Sequence, residues 1–229
     1  MFESALLKLT SKKTLKDNVF LLEYSIPKKI EFLPGQFVIV QIRDNLKRAY
    51  SIFDASEKSI KFLIDTSPKG EASKYFDSCE IGSKVSISGP FGNFILKDSK
   101  REKVFVATGT GIAPLFSMIK KEKEKNPKNK IRVFWGTRFI KDDYLDEIFS
   151  EIDNIKLTVC LSREESNEIQ KYNTGFKKYK KGYITKALDE SNLDFENLEF
   201  YICGRKEIVN DVVEVLSKKS ARYVYFEKY

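Results

Sequence analysis

The 229-residue chain is expected to fold as two domains: an antiparallel β-barrel over residues 1–98 and an α/β domain with a parallel sheet over residues 99–229. Three observations predict this. The first hundred residues hold short β-rich runs punctuated by turn signals. After Arg101, short apolar strands alternate with amphipathic helical segments. A glycine turn joins the first of those strands to its helix.

In the first half, "QFVIVQI" and "KFLID" are rich in strand formers, and "KVSISG" alternates apolar and polar positions. "LPGQ", "RDN", "SPKGE" and "CEIGS" separate them as turns. "RAYSIF" is an unusual strand. Alternation puts Arg48 and Tyr50 on one face and Ser51 on the other. A cation, a flat ring and a hydroxyl suit a ligand with an anionic end and a planar end. The same residues also suit an edge strand with a solvated Arg and a core Tyr. In "SPKGEASKYF", Gly70 precedes Glu71, Ala72 and Ser73, the opening of a short helix whose small residues would let a phosphate reach backbone N–H groups.

"LKDSKRE" marks the boundary. "KVFVA" then reads as a buried strand, followed by a helix in "PLFSMIKKEKEK" with Leu115, Met118 and Ile119 at helical spacing. "IRVFW", a helix around "DYLDEIFSEI", the strand "KLTVCLS" and the strand "FYICG" come next. "KEIVNDVVEVLSKK" lines Ile208, Val209, Val212, Val213 and Leu216 along one helical face. In "ATGTGIAP", Gly109 and Gly111 permit a tight turn that brings backbone close to a ligand, and Pro114 suits a first helical turn. The helix start then offers free N–H groups to an anion. The spacing is GxGxxP rather than the dinucleotide fingerprint GxGxxG, so a ligand-free βα turn stays open at this point.

Composition narrows the chemistry. The chain has no histidine, which removes Ser-His-Asp and Cys-His catalysis and most zinc sites. Cys79, Cys160 and Cys203 lie far apart, with no CxxC pair and no iron–sulfur spacing. Hard chemistry would come from a cofactor. Hydrophobic residues are 41% and charged residues 32%, an ordinary globular balance. No run has signal-peptide or membrane-span length, so a cytoplasmic protein without membrane association is expected. The net charge of +8 fits an acidic protein partner or a phosphate-rich ligand, and equally a solvated lysine-rich surface. Nucleic acid is not expected, because the lysine runs are short, the first is mixed with Glu, and no aromatic–basic motif of RRM or OB type is present.

"RAYS", "GEAS", "GPFGNF", "TGTGIAP", "WGTR", "LSRE", "YICG" and "YFEKY", in this order, resemble the ferredoxin–NADP+ reductase family over nearly the whole chain. The resemblance implies a Greek-key barrel that binds FAD and an α/β domain that binds NADPH, with NADH less favoured. It implies that Arg48 contacts the FAD pyrophosphate, with Ala49 beside it, that Tyr50 packs on the isoalloxazine and that Ser51 bonds near flavin N5. Gly70, Ala72 and Ser73 would take the pyrophosphate. Gly109, Thr110 and Gly111 would border the nicotinamide, with Thr110 between the cofactors. Cys203 and Gly204 would lie by the reactive nicotinamide carbon, with Cys203 packing rather than reacting. Gly136, Thr137 and Arg138 with Ser162 and Arg163 would hold the adenosine end, the Ser–Arg pair gripping the 2′-phosphate. Lys178, Lys180 and Lys181 would add positive field. Tyr229 would cover the flavin as a displaceable gate, and Glu227 would relay protons. Ala113 replaces a family glycine, and the stretch from Arg163 to Tyr183 matches no familiar version.

The implied activity is electron transfer from NADPH through FAD to a separate acidic ferredoxin or flavodoxin, by a monomer. An NAD(P)H:flavin reductase or the reductase component of an oxygenase is the alternative. A non-catalytic module would be expected to have lost Ser51, Cys203 or the glycine turns, and all are present.

Overall fold

The computed structural model describes residues 2–229, with side chains from Ser4 onward. It divides into two compact units. One runs to Leu96 and includes Phe116–Met118; the other comprises Lys97–Leu115 and Ile119–Tyr229.

The first unit contains β1 (Phe2–Lys16), β2 (Val19–Ser25), β3 (Phe37–Arg43), β4 (Leu46–Ser51), β5 (Asp54–Ala55), β6 (Ser59–Asp65), α1 (Glu71–Ser78) and β7 (Lys84–Phe91). The antiparallel sheet has the order β4-β3-β7-β1-β2-β6-β5, in which β7 returns to lie between β1 and β3 in Greek-key fashion. "RAYSIF" turns a corner of this barrel. The Ile52 N–H donates to the Gln36 carbonyl at the β3 side (3.0 Å), and the Phe53 N–H donates to the Lys61 carbonyl on β6 (3.0 Å). Consecutive residues thus bond to opposite ends of the strand order, so the chain at Ser51 bends and closes the barrel. Leu7, Leu9, Leu22, Val38, Ile60 and Ile87 fill the interior, each at most 1% exposed.

The second unit contains β8 (Lys103–Thr108), α2 (Ile112–Lys125), β9 (Ile131–Thr137), α3 (Leu145–Phe149), β10 (Ile155–Leu161), β11 (Lys177–Lys181), α4 (Ile184–Asp189), β12 (Glu199–Gly204), α5 (Lys206–Lys218) and β13 (Tyr223–Lys228). Its six strands run parallel in the order β11-β10-β9-β8-β12-β13. The β8 strand is buried on both faces, which is why "KVFVA" is continuously apolar. Val104 and Val106 face α4 and α5 through Leu188, Val209, Val212 and Leu216. From β8 the chain steps outward to β11 and then crosses to β12 on the other side. The β8–β12 gap is therefore the topological switch point, where ligands of such sheets bind beyond the strand C-termini.

One local reading is corrected: the helix expected around 143–152 is only Leu145–Phe149. The run "KKYKK" forms strand β11, with Lys177 buried in ion pairs to Asp143 (2.9 Å) and Asp146.

Candidate functional site: a barrel half and a sheet half

In the barrel unit, β4 presents Arg48 and Tyr50 from alternate rungs of the β3 ladder, opposite Val40 and Val38. The Tyr50 ring is half-buried and meets Phe76 of α1 edge-on, with centroids 5.2 Å apart. That contact brings the "RAYS" strand and the "GEAS" helix start together. Burial pushes the Tyr50 hydroxyl up to about 12, with nearby Arg48 opposing the shift. Arg48 is exposed. Its guanidinium donates to the Lys47 carbonyl at 2.8 Å and has no acidic partner among the described residues. Ala49 is exposed beside it, and the half-buried Ser51 hydroxyl makes no hydrogen bond among the described residues. At α1 a Cβ on Gly70 would meet nothing within 4 Å, and Ala72 is buried behind the first turn. The first-turn N–H groups, including that of Ser73, lack intrahelical partners as at any helix start. A free cation, an open helix start and a half-buried ring fit the pyrophosphate and the planar ring of FAD.

In the sheet unit, the chain leaves β8 through a tight turn, Gly109–Gly111, with Gly109 at φ +50°. The two glycines serve different ends. A Cβ on Gly109 would meet nothing within 4 Å, so this position faces open space. A Cβ on Gly111 would lie 2.4 Å from the Cys203 carbonyl oxygen. Gly111 thus lets the turn pack directly against the end of β12. Gly204 closes the same junction from the other side, since a Cβ there would come within 2.8 Å of Thr108 Oγ1. Gly136 does likewise at β9, facing Ile184 and Thr108.

Cys203 is 3% exposed, and burial, with Glu227 beside it adding to the effect, pushes its thiol well above the ordinary range. Glu227 is its register partner on β13. Burial raises the Glu227 carboxyl, which has no hydrogen bond or ion pair among the described residues. The Tyr229 ring is 62% exposed, yet its hydroxyl is tucked into the glycine turn and donates to the Thr108 carbonyl at 3.2 Å. Desolvation of that hydroxyl pushes it up to about 12. The structure therefore gathers Gly109, Thr110, Gly111, Cys203, Gly204, Glu227 and Tyr229 at the switch point.

A second group forms at the ends of β9 and β10. The Ser162 N–H donates to the Thr137 carbonyl and the Arg163 N–H to the Arg138 carbonyl, each at 3.0 Å. Ser162 Oγ also donates to Thr137 at 3.2 Å. Both guanidinium groups are exposed and without acidic partners among the described residues. Glu164 ties the two loops by accepting the Ile140 N–H (3.1 Å) and the Ser166 N–H (3.2 Å), which holds its carboxyl below the usual range. By contrast, Lys180 pairs with Glu190 and Lys181 with the Glu165 carbonyl and Asn167. Sequence reading passed over Glu164, and also Trp135, whose indole N–H donates to the Gly109 carbonyl at 2.9 Å. Neither carries a spacing signal for these long-range bonds, because Ile140 and Gly109 are each more than twenty positions away. No group of His, Cys, Asp or Glu among the described residues is arranged to hold a metal.

Comparison with known proteins agrees with this division. Residues 6–95 match the oxidoreductase FAD-binding domain, and residues 105–214 match the oxidoreductase NAD-binding domain. The chain is 29% identical over 211 residues to the toluate 1,2-dioxygenase electron transfer component of Pseudomonas putida, covering 88% of this chain and 60% of that protein. It is 28% identical over 193 residues to the reductase component of propane 2-monooxygenase from Mycolicibacterium smegmatis, covering 80% of this chain and 54% of that one. The chain thus spans about three fifths of the first relative and just over half of the second. The fold is similar to a ferredoxin NADP+ reductase from Neisseria gonorrhoeae solved with FAD and NADP, with TM-score 0.82, 16% identity and coverage of 100% and 99% of the two chains. The chain belongs to the ferredoxin–NADP+ reductase family, with an FAD-binding domain ahead of an NAD-binding one.

Proposed function

We propose that this oxidoreductase takes electrons from NADPH and delivers them through FAD to a separate one-electron carrier, an acidic ferredoxin or flavodoxin. Residues 1–98 would hold FAD and residues 99–229 NADPH. Bound FAD supplies the conversion of a hydride into single electrons. Arg48 and the α1 start would hold the pyrophosphate, and Tyr50 and Ser51 would orient the flavin ring. On the sheet unit, the Gly109–Gly111 turn and Cys203 would position the nicotinamide. Glu227, whose carboxyl is raised by burial, would relay protons near the reacting atoms. The Tyr229 ring would occupy the nicotinamide position until displaced, so Tyr229→Ser is expected to tighten NADP+ binding; unchanged affinity would reject the gate.

The observation that carries NADPH over NADH is the pair Arg138 and Arg163, side by side and free of acidic partners, beside the Ser162 hydroxyl. Forked guanidinium groups suit a 2′-phosphate. The charge of +8 supports an acidic partner steered by electrostatics. A cytoplasmic monomer is part of the same reading. A second acceptor reading, the reductase component of an oxygenase, is favoured by the toluate dioxygenase and propane monooxygenase components among the relatives. Reduction by NADPH and by NADH in a stopped-flow instrument, followed by reoxidation with ferredoxin, flavodoxin or a terminal oxygenase, separates these cases. Reoxidation by free flavin alone would instead favour a flavin reductase.

A further inference from the structure

Parallel pairing sets Trp135 beside Ala107, two residues before Gly109. The indole is 1% exposed, and buried Tyr144 meets it edge-on at 5.0 Å. Its N–H donates to the Gly109 carbonyl at 2.9 Å. The same carbonyl accepts the Ile112 N–H that starts α2. These two donors hold the carbonyl toward the protein interior. A trans peptide points its C=O and N–H in opposite directions, so the Thr110 N–H is turned outward. The outer side is open, since a Cβ on Gly109 would meet nothing within 4 Å. Glycine at φ +50° accepts either orientation of the following peptide, so the backbone's own preference does not fix it.

We propose, resting on the nicotinamide reading of this turn, that Trp135 is a positioning residue. Its indole N–H locks the Gly109–Thr110 peptide so that the Thr110 N–H is a preset donor to an oxygen of the nicotinamide nucleotide. A preset donor costs no rearrangement when the nucleotide arrives. Losing the lock would free the peptide to flip and turn a carbonyl toward the incoming oxygen.

Trp135 is the only tryptophan in the sequence, which makes an atomic test practical. Protein grown on benzothienylalanine replaces the indole N–H with sulfur at nearly the same shape, removing one donor from the whole molecule. Protein grown on fluorotryptophan keeps the donor and adds a single fluorine reporter. NADP+ binding to each FAD-loaded form is measured by calorimetry, with FAD content and melting temperature in parallel. The sulfur form should keep its FAD and melting temperature but bind NADP+ roughly three- to tenfold more weakly, the scale of one net hydrogen bond. The fluorinated form should bind like the unlabelled protein, and its resonance should move when NADP+ is added. Equal NADP+ affinity in the sulfur and N–H forms, or a fluorine resonance that stays still, overturns the lock. Weaker NADP+ binding matched by losses of FAD and melting temperature also overturns it, because the indole N–H would then support the fold as a whole rather than set this one peptide. Absence of binding of both NADP+ and NAD+ in the unlabelled protein overturns the nicotinamide reading and the lock with it; binding of NAD+ alone moves the same comparison to NAD+.

Discussion

Replacing Gly111 with alanine should disturb the turn far more than the same change at Gly109. At Gly111 the new Cβ would sit 2.4 Å from the Cys203 oxygen and 2.9 Å from its carbonyl carbon. Ordinary contact begins at 3.4 Å, so the turn and the strand must part by about 1 Å. The obstacle is backbone, not a side chain that can swing aside. That backbone belongs to β12, which is hydrogen-bonded to β8 on one side and β13 on the other. The turn must therefore give way. Overpacking of this kind costs about 1–3 kcal/mol. For a protein of this size that lowers the melting temperature by about 5 °C. A displacement of about 1 Å in a positioning element can also slow the chemical step by roughly 10²-fold. At Gly109 the new Cβ meets nothing, and the cost is the left-handed backbone alone, about 1–2 kcal/mol. Gly204→Ala should fall between, because Thr108 Oγ1 can rotate away. Stopped-flow flavin reduction by NADPH and thermal melts on the three variants provide the assay. A Gly111→Ala protein that reduces its flavin at the wild-type rate, or a Gly109→Ala protein that is the worse of the two, would refute this account of the turn.

Three other outcomes are expected. Lys103, with 0% side-chain exposure, pairs with Glu122 (3.2 Å) and Glu199 (3.9 Å), so Lys103→Met takes the cation from buried Glu122 and leaves Glu199 only Arg101 at 4.0 Å, and should cost about 3–5 kcal/mol in chemical denaturation; a loss below about 1 kcal/mol would show that the cluster is not held by its lysine. Arg163→Ala should raise KM for NADPH several-fold and leave NADH unchanged, whereas equal losses for both would place Arg163 elsewhere. Burial raises the Glu227 carboxyl in the folded protein, so the fold binds its proton more tightly than the unfolded chain does. Stability should then decline as pH rises from about 4, the unfolded carboxylate range, through the raised folded value. Glu227→Gln should remove that decline, and identical pH–stability curves for variant and wild type would contradict it.

How much of this was legible in the sequence depended on whether a residue's partner was near in the chain. The β8 strand and α5 announce themselves because burial on two faces gives a continuous apolar run, and burial on one face gives helical spacing. The long β1 strand does not. Its inward positions Leu7 and Leu9 alternate as expected, but the register shifts between Leu9 and Ser11 and again at Leu15, between Thr14 and Lys16, so the pattern is interrupted. The β11 strand reads as a lysine patch because the carboxylates that let Lys177 be buried lie 31 and 34 residues away. Within the site, Arg48, Tyr50 and the glycine turns stand out by residue type. The bond from Trp135 to Gly109 spans 26 residues and joins a side chain to a carbonyl that any residue would carry, so no pattern encodes it.

The central claim is that one chain holds FAD and accepts a hydride from NADPH. Desalted protein should keep about one FAD per chain, and an anaerobic stoichiometric addition of NADPH should bleach the flavin absorbance, much faster than NADH does. A protein that emerges colourless after FAD loading and desalting, or whose bound flavin neither nucleotide bleaches, would contradict the account.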